Sequence, residues 1–308
     1  MERLRNKDLL DTDVLTKEEA LLIIDIAFKF KSGRLKTLPL SDEIVSLLFF
    51  EPSTRTRNSF EIAGKRLGAM VVSMDTGGSS LVKGESALNT VRTLQAMGVN
   101  FFVIRHRESG FPYEIADKVS ASIINAGDGT RGHPTQALLD AMTMIESRGD
   151  LEGKKIVIVG DILHSRVARS NIWLLKKLGA DVTLVGPPEF LPIDFKRLGV
   201  EISYSLDDVI QDTDILMGLR IQRERMEKMN ISVEEYIRRY QINQERIRKA
   251  KPDLIVLHPG PVNVGIEMTE DVLYSERSLV ETQVTNGVFI RMAILSLLKE
   301  TRDYGSNA

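Results

Sequence analysis

Short apolar runs alternate with amphipathic stretches along the first half of the chain. Ile44 to Phe50, Met70 to Met74, Phe101 to Ile104 and Ile123 to Ile124 read as strands, and apolar residues at helical spacing lie between them. The rhythm restarts after Ser147-Arg148-Gly149-Asp150, with strands expected at Lys155 to Val159, Asp181 to Val185, Asp214 to Met217 and Leu254 to Leu257. Alternation of this kind predicts an α/β protein of two doubly wound domains, each a central parallel sheet flanked by helices. A helix from Pro134 to about Glu146 hands over to the polar stretch, so the domains are expected at 1–146 and 147–285. A closing helix from about Gly287 to Lys299 carries Val288, Ile290, Met292, Ala293, Leu295 and Leu298 and needs a partner surface. The segment 286–308 is expected to complete the first domain. The charge-rich stretch Arg223 to Arg248 reads most simply as a pair of solvated helices.

The length agrees with that division: 308 residues at about 150 per domain suggest roughly two. Hydrophobic residues make up 43% and charged residues 27%, typical of a globular protein. No run approaches the ~18 apolar residues of a membrane span, and Met1-Glu2-Arg3-Leu4-Arg5 is not followed by a signal-peptide apolar region. A cytoplasmic location follows as the expectation. A formal net charge of -2 argues against nucleic acid as a partner and leaves any anion site to local arginines and lysines. Absence of cysteine removes disulfides, thiolate zinc sites and cysteine nucleophiles. His106, His133, His164 and His258 include no pair with the spacing of a helical zinc motif, so neither metal nor cofactor is expected.

Candidate chemistry begins where the strand Ile44 to Phe50 runs into Glu51-Pro52-Ser53-Thr54-Arg55-Thr56-Arg57, ahead of the helical pattern Phe60, Ala63, Leu67. Open backbone N–H groups and the positive end of a helix dipole meet at such a turn, and both favour an anion. Hydroxyls add short donors, and guanidiniums add charge with bidentate geometry. A plain helix cap would favour acidic residues in that first turn, whereas two arginines there call for a compensating anion. Arg55 and Arg57, two apart, do not share a helix face, so only one is expected to touch the ligand. No Gly-x-x-x-x-Gly-Lys-Ser/Thr occurs, and Gly160-Asp161 stands after Val159 where a dinucleotide fold would carry Gly-x-Gly-x-x-Gly. Phosphate without nucleotide is the better fit.

Other strand ends carry further polar groups. Arg105 follows Phe101 to Ile104, and His133-Pro134-Thr135-Gln136 opens a helix on which His133 and Gln136 share a face. Together they suit a carbonyl oxygen, although His133 alone reads equally well as a capping or packing residue. Gly77 to Glu85 is a glycine-flanked loop carrying Lys83, either a plain surface loop or one that closes over a site. Arg166 follows Gly160-Asp161, and Arg220-Ile221-Gln222 follows the strand Asp214 to Met217. Singly each arginine reads as a surface ion-pair partner; as a pair at equivalent strand ends they suit a carboxylate clamp. His258-Pro259-Gly260-Pro261 is a rigid turn, or one whose small residues let backbone carbonyls approach a ligand.

Taken in order, Phe49-Phe50-Glu51-Pro52-Ser53-Thr54-Arg55-Thr56-Arg57, Lys83-Gly84-Glu85, Arg105-His106 and His133-Pro134-Thr135-Gln136 resemble the aspartate and ornithine carbamoyltransferase family over nearly the whole chain. Arg220-x-Gln222 and His258-Pro259-Gly260-Pro261 resemble its aspartate branch, and the His-Cys-Leu-Pro pattern of the ornithine branch is missing. The resemblance implies a site in the cleft between the domains. Catalysis is expected from Arg55, Thr56, Arg105 and His133, on carbamoyl phosphate held also by Ser53, Thr54, Gln136, Gly260 and Pro261. L-Aspartate is expected on Arg166, Arg220, Gln222 and Lys83, the last entering with Ser79 or Ser80 from a neighbouring subunit of a homotrimer. The implied product is N-carbamoyl-L-aspartate, a step of de novo pyrimidine biosynthesis, and association with dihydroorotase or regulatory chains is compatible with it. Val264 stands where many relatives have arginine, and Val167 where some have a hydroxyl. The rival readings are the same chemistry on ornithine or another amino acid, a nicotinamide-dependent oxidoreductase, and a non-catalytic carbamoyl-phosphate-binding subunit.

Overall fold

The structure is a computed structural model that describes residues 3–74, 86–229 and 231–306. The chain forms two compact units, Met1–Leu139 with Val284–Ala308, and Asp140–Gln283. Among the described residues the first unit opens with α1 (Lys17–Lys31), started by a reciprocal pair of hydrogen bonds between Thr16 and Glu19. There follow β1 (Ile44–Phe49), α2 (Thr54–Arg66), β2 (Met70–Met74), α3 (Ala87–Ala96), β3 (Phe101–His106), α4 (Phe111–Ala116) and β4 (Ser122–Asp128), and then α5 (Pro134–Arg148), whose residues from Asp140 on belong to the second unit. Their strands form a parallel sheet in the order β2-β1-β3-β4. Val45, Leu47, Leu48, Phe101 to Ile104, Ile123 and Ile124 are buried, the near-continuous apolar run of strands covered on both faces.

In the second unit come β5 (Lys155–Val159), α6 (Arg166–Lys177), β6 (Asp181–Val185), β7 (Glu201–Ser203), β8 (Ile215–Gly218), α7 (Arg223–Lys228), α8 (Val233–Tyr240), α9 (Gln244–Lys249), β9 (Ile255–Leu257) and α10 (Glu270–Leu273). Its parallel sheet runs β7-β6-β5-β8-β9. The chain ends in α11 (Val280–Ser306). Two parallel sheets flanked by helices are thus present, as the strand–helix alternation predicts. Among the described residues no helix is long and apolar enough to cross a membrane.

Three details depart from the sequence reading. The short strand β7 lies outside the predicted set, since Glu201-Ile202-Ser203 holds a single apolar residue and none of the three is buried. Arg223 to Arg248 forms three helices rather than a solvated pair, and Met226, Tyr236, Tyr240 and Ile247 sink into one core with Val159, Leu216 and Val256. The closing helix starts at Val280 instead of Gly287, because Gly287 is an interior helical residue whose missing side chain makes room for another. A Cβ there would lie 2.6 Å from the Arg291 guanidinium and 3.2 Å from Leu139.

Each sheet has one point where successive connections depart to opposite sides. In the first it lies between β1 and β3, and in the second between β5 and β8. At such a point the carboxyl ends of two neighbouring strands are left open to a ligand.

Arg246 ties the charge-rich helices to the second core. It is buried, meets Asp207 through two bonds of 3.2 and 2.8 Å, and donates to the carbonyls of Gln241 and Arg238 at 2.7 Å each. Arg246→Leu would remove the ion pair to the exposed Asp207 and leave the Gln241 and Arg238 carbonyls unpaired, and a loss of about 3 kcal/mol is expected. The hydrogen bond from Arg246 holds the Asp207 carboxyl below its usual range. A depressed carboxyl stabilises the fold above its unfolded value and loses that contribution as pH falls through the folded one. Thermal unfolding of wild type and variant over the acid range should therefore show curves that converge toward low pH. A constant separation would contradict the pairing.

Candidate active site

At the switch point of the first sheet, Phe49 and Arg105 are register partners across β1 and β3, and the Phe50 amide donates to the Arg105 carbonyl at 2.9 Å. Ser53 caps α2 in an extended conformation, and its side chain makes no capping hydrogen bond. The first turn contains no acidic residue. The helix ladder begins with the Arg57 amide on the Ser53 carbonyl at 3.2 Å, so the amides of Thr54, Arg55 and Thr56 precede it and point out of the helix end. Thr56 is buried, Thr54 and Arg55 are exposed, and the Arg57 Nε turns away to donate to Ser73 Oγ on β2 at 2.8 Å. Arg57 is thus drawn toward β2, while Arg55 is exposed.

The Arg105 guanidinium is held from two directions, by Glu51 Oε1 at 2.6 Å and by the Ala126 carbonyl of β4 at 3.2 Å. His133 is buried immediately before α5, and its carbonyl accepts the amides of Gln136 and Ala137 at 3.0 and 3.2 Å. Gln136 is buried one turn along. Thr135, between them, accepts from Arg291 at 3.3 Å, while Arg291 also donates to the Gly287 carbonyl and lies 5.0 Å from the Phe60 ring centroid. One buried guanidinium on α11 therefore braces α5 and α2, the two helices whose starts carry the candidate groups.

In the second unit the switch point lies between Gly160 and Leu219. Gly160 has φ +138, and a Cβ there would meet Leu219 Cβ at 3.0 Å and the Leu219 carbonyl at 3.2 Å. This close approach places Arg220, exposed, directly after β8. Asp161 is buried beside it in sequence; its Oδ1 lies 2.8 Å from His164 Nδ1 and its Oδ2 lies 3.2 Å from Arg225. Arg166 is the first residue of α6, started by the Ser165 hydroxyl accepting from the Ala168 amide at 3.0 Å. Gln222, half-buried, precedes α7.

Glu267, which the sequence did not single out, organises this side. Its Oε1 accepts from the Ile221 amide at 2.6 Å and from Asn263 Nδ2 at 2.7 Å. Its Oε2 accepts from the Asn263 amide at 2.9 Å and faces His258 Nε2 at 2.9 Å. Asn263 Nδ2 also reaches the Ile221 carbonyl at 2.7 Å, so both polar groups of the residue between Arg220 and Gln222 are fixed. The Gly260 amide donates to His258 Nδ1 at 2.8 Å, which leaves the imidazole proton on Nε2 as the donor to Glu267. Gly260 itself has φ +62 and precedes Pro261. A single carboxylate thereby couples the Arg220 turn to the Pro259-Gly260-Pro261 turn. Val264 is half exposed, and the Val167 carbonyl accepts from Asn171 at 3.0 Å. Ser79, Ser80 and Lys83 lie outside the described residues.

Comparison with known proteins finds matches in both halves of the chain. The model of the aspartate/ornithine carbamoyltransferase carbamoyl-P binding domain matches residues 7–146. That of the Asp/Orn binding domain of the same family matches residues 152–298. The aspartate carbamoyltransferase catalytic subunit of Caldanaerobacter subterraneus subsp. tengcongensis is 49% identical over 301 residues, covering 96% of this chain and 99% of that protein. The subunit of the same name from Natranaerobius thermophilus is 50% identical, covering 99% of each chain. Among solved structures, aspartate transcarbamoylase of Trypanosoma cruzi in complex with N-(phosphonacetyl)-L-aspartic acid superimposes with a TM-score of 0.84 at 32% identity, covering 95% of this chain and 96% of that one. The catalytic subunit of M. Jannaschii aspartate transcarbamoylase gives a TM-score of 0.84 at 35% identity, covering 96% and 98%.

Gly160→Ala tests the second switch point. A side chain at a positive φ against a neighbouring backbone should cost about 2 kcal/mol and lower Tm by several degrees. An unchanged melting curve would mean that the approach to Leu219 is not tight.

Proposed function

The chain belongs to the aspartate/ornithine carbamoyltransferase family, and we propose that its residues divide the chemistry of carbamoyl transfer between an acyl-phosphate side in the first unit and an acceptor side in the second. The reaction moves the carbamoyl group of carbamoyl phosphate to the α-amino group of L-aspartate, giving N-carbamoyl-L-aspartate and phosphate for pyrimidine biosynthesis. One observation carries the assignment of the acceptor: Arg166 and Arg220 follow the two strands, β5 and β8, that flank the switch point of the second sheet. Two guanidiniums there suit a dicarboxylate, whereas ornithine would bring a further cation toward them.

On the phosphate side, Ser53, Thr54, Arg55 and Thr56 hold the phosphate at the start of α2. Arg105, His133 and Thr56 face the carbonyl oxygen, and Gln136 with the carbonyls of Gly260 and Pro261 receives the carbamoyl N–H groups. On the acceptor side, Arg166, Arg220, Gln222 and Lys83 bind aspartate. The neutral α-amine attacks the carbamoyl carbon, and charge gathers on the carbonyl oxygen of a tetrahedral intermediate. That charge meets donors already fixed in place, the term that commonly dominates such catalysis. The C–O bond to phosphate then breaks, Arg55 neutralises the leaving group, and a phosphate oxygen takes the amine proton. Orientation of the two substrates supplies much of the remaining acceleration.

The reading extends to a cytoplasmic homotrimer with shared sites, the domains 1–146 plus 286–308 and 147–285, and association with dihydroorotase or regulatory chains. Support for assembly comes from β2, the outer strand of the first sheet among the described residues, where Met70 and Val72 are 64% and 38% exposed. Apolar side chains on an open strand edge invite a partner. Lys83 follows that strand by nine residues in sequence.

Incubation with carbamoyl phosphate and a panel of amino acids should give carbamoylated product with L-aspartate and none with ornithine; the opposite preference would overturn the acceptor assignment. Arg55→Ala and Arg105→Ala should each lower kcat by about 10²–10³ or more with the fold intact. Near-normal turnover by either purified variant would remove it from the site. Mixing inactive Lys83→Ala with inactive His133→Ala subunits should restore activity in sites that draw one intact group from each chain. Verified mixed trimers without recovery would place Lys83 in its own subunit's site.

A further inference from the structure

Behind the acceptor side lies a second set of buried polar groups with no role in the chemistry above. Asp140 on α5 is fully buried, and so is Asn171 on α6; Gln283 on α11 is nearly so. Asn171 Nδ2 donates to Asp140 Oδ2 at 2.9 Å, Gln283 Nε2 donates to Asp140 Oδ1 at 2.7 Å, and Gln283 Oε1 accepts the backbone amide of His258 at 2.9 Å. Asn171 also donates back to the Val167 carbonyl at 3.0 Å, one residue from Arg166. The links run unbroken from the first turn of α6 to the end of β9, where the His258 turn begins.

Resting on the acceptor assignment above, we propose that Asp140, Asn171 and Gln283 form a positioning relay that sets Arg166 and the His258-Pro259-Gly260-Pro261 turn in mutual register for aspartate. Apolar packing alone is non-directional and would let a helix turn about its axis with little loss. Hydrogen bonds between buried groups are directional, and each broken link leaves a polar atom unpaired away from water. Gln283 suits its place because one end must accept, from an N–H, while the other must donate, to a carboxylate. Glutamate would set two carboxylates together, and leucine would strand both neighbours. At the far end His258 passes the constraint on, through Glu267, to Ile221 between Arg220 and Gln222. None of the three relay residues touches substrate in this arrangement.

The donor–acceptor order supplies a swap experiment. Gln283→Glu breaks the link to Asp140, and Asp140→Asn breaks it from the other side by placing two amides together or leaving one acceptor short. In the double variant Asp140→Asn with Gln283→Glu, the new carboxamide at position 140 donates to the new carboxylate at position 283. Its oxygen accepts from Asn171, and the carboxylate still accepts from His258. Each single variant should raise the aspartate KM about tenfold, the factor of one lost buried hydrogen bond. The carbamoyl phosphate KM should stay within about twofold, and the double variant should recover most of the loss. A merely structural role would lower Tm without separating the two KM values. Equal changes in both KM values, or a double variant no better than the worse single one, would overturn the relay.

Hydrogen exchange of the His258 amide reads the same link without turnover. It should quicken about tenfold in each single variant and return in the double. Wild-type protein that makes no carbamoyl-aspartate would sink the acceptor assignment, while the exchange pattern would still decide the relay. Unchanged exchange in folded single variants would overturn the relay even if the wild type is active. If the single variants do not fold, a folded double variant with wild-type exchange supports the swap, and an unfolded one counts against it.

Discussion

The rest of the structure follows from parallel strand direction combined with a reversal in connection order. When every strand of a sheet points the same way, every carboxyl end lies along one edge, and helical crossovers cover most of it. Only where one connection leaves to the left and the next to the right are two neighbouring strand ends open. The first sheet has that opening between β1 and β3 and the second between β5 and β8. Ser53, Arg105, Gly160 and Arg220 all stand within a few residues of those ends. The site groups are therefore placed by chain order, before any side chain has been chosen.

Within each unit, guanidiniums near these strand ends are opposed by carboxylates. At about 4 Å and an effective dielectric near 20, two charges interact by about 4 kcal/mol, so an unopposed cation near another would turn outward. Glu51 answers Arg105, and Asp161 answers Arg225. Glu267 works differently, since its oxygens are occupied by amides and an imidazole instead of a guanidinium. It holds backbone, and through backbone it fixes where Arg220 begins. Donors held in this way before a substrate arrives need no reorganisation as charge develops, which is why rigidity behind the site counts toward the chemistry in front of it.

Much of this was legible in the sequence, and the limits have physical causes. Apolar runs announce strands; β2, β5 and β6 fall on the residues the pattern names, although β2 is an exposed outer strand. A short edge strand such as β7 carries no such mark, because one side of it meets water. In α8 the paired tyrosines Tyr236 and Tyr240, one turn apart, were a readable apolar face that the surrounding charges obscured. Turn positions such as Ser53 to Arg57 could be read because strand, turn and helix are contiguous. Glu267 could not, since its meaning depends on Ile221, 46 residues away, and Gln283 depends on Asp140, 143 residues away. A buried polar residue looks in sequence like any surface one until its partner is known.

Selectivity between acidic and basic acceptors comes down to which charges the second switch point presents. An α-amino acid offers any such site the same amine and α-carboxylate, so discrimination must come from the remaining side chain. On the proposed acceptor assignment, a guanidinium after β5 and another after β8 supply one cation for each carboxylate of aspartate, in the bidentate geometry that lysine lacks. Ornithine would satisfy one of them and set its ammonium against the other. Repulsion of that kind excludes the wrong substrate more firmly than the right contacts admit the correct one. It acts only if the second guanidinium cannot swing away, and the bonds that pin Ile221 beside Arg220 remove that freedom from the backbone that carries it.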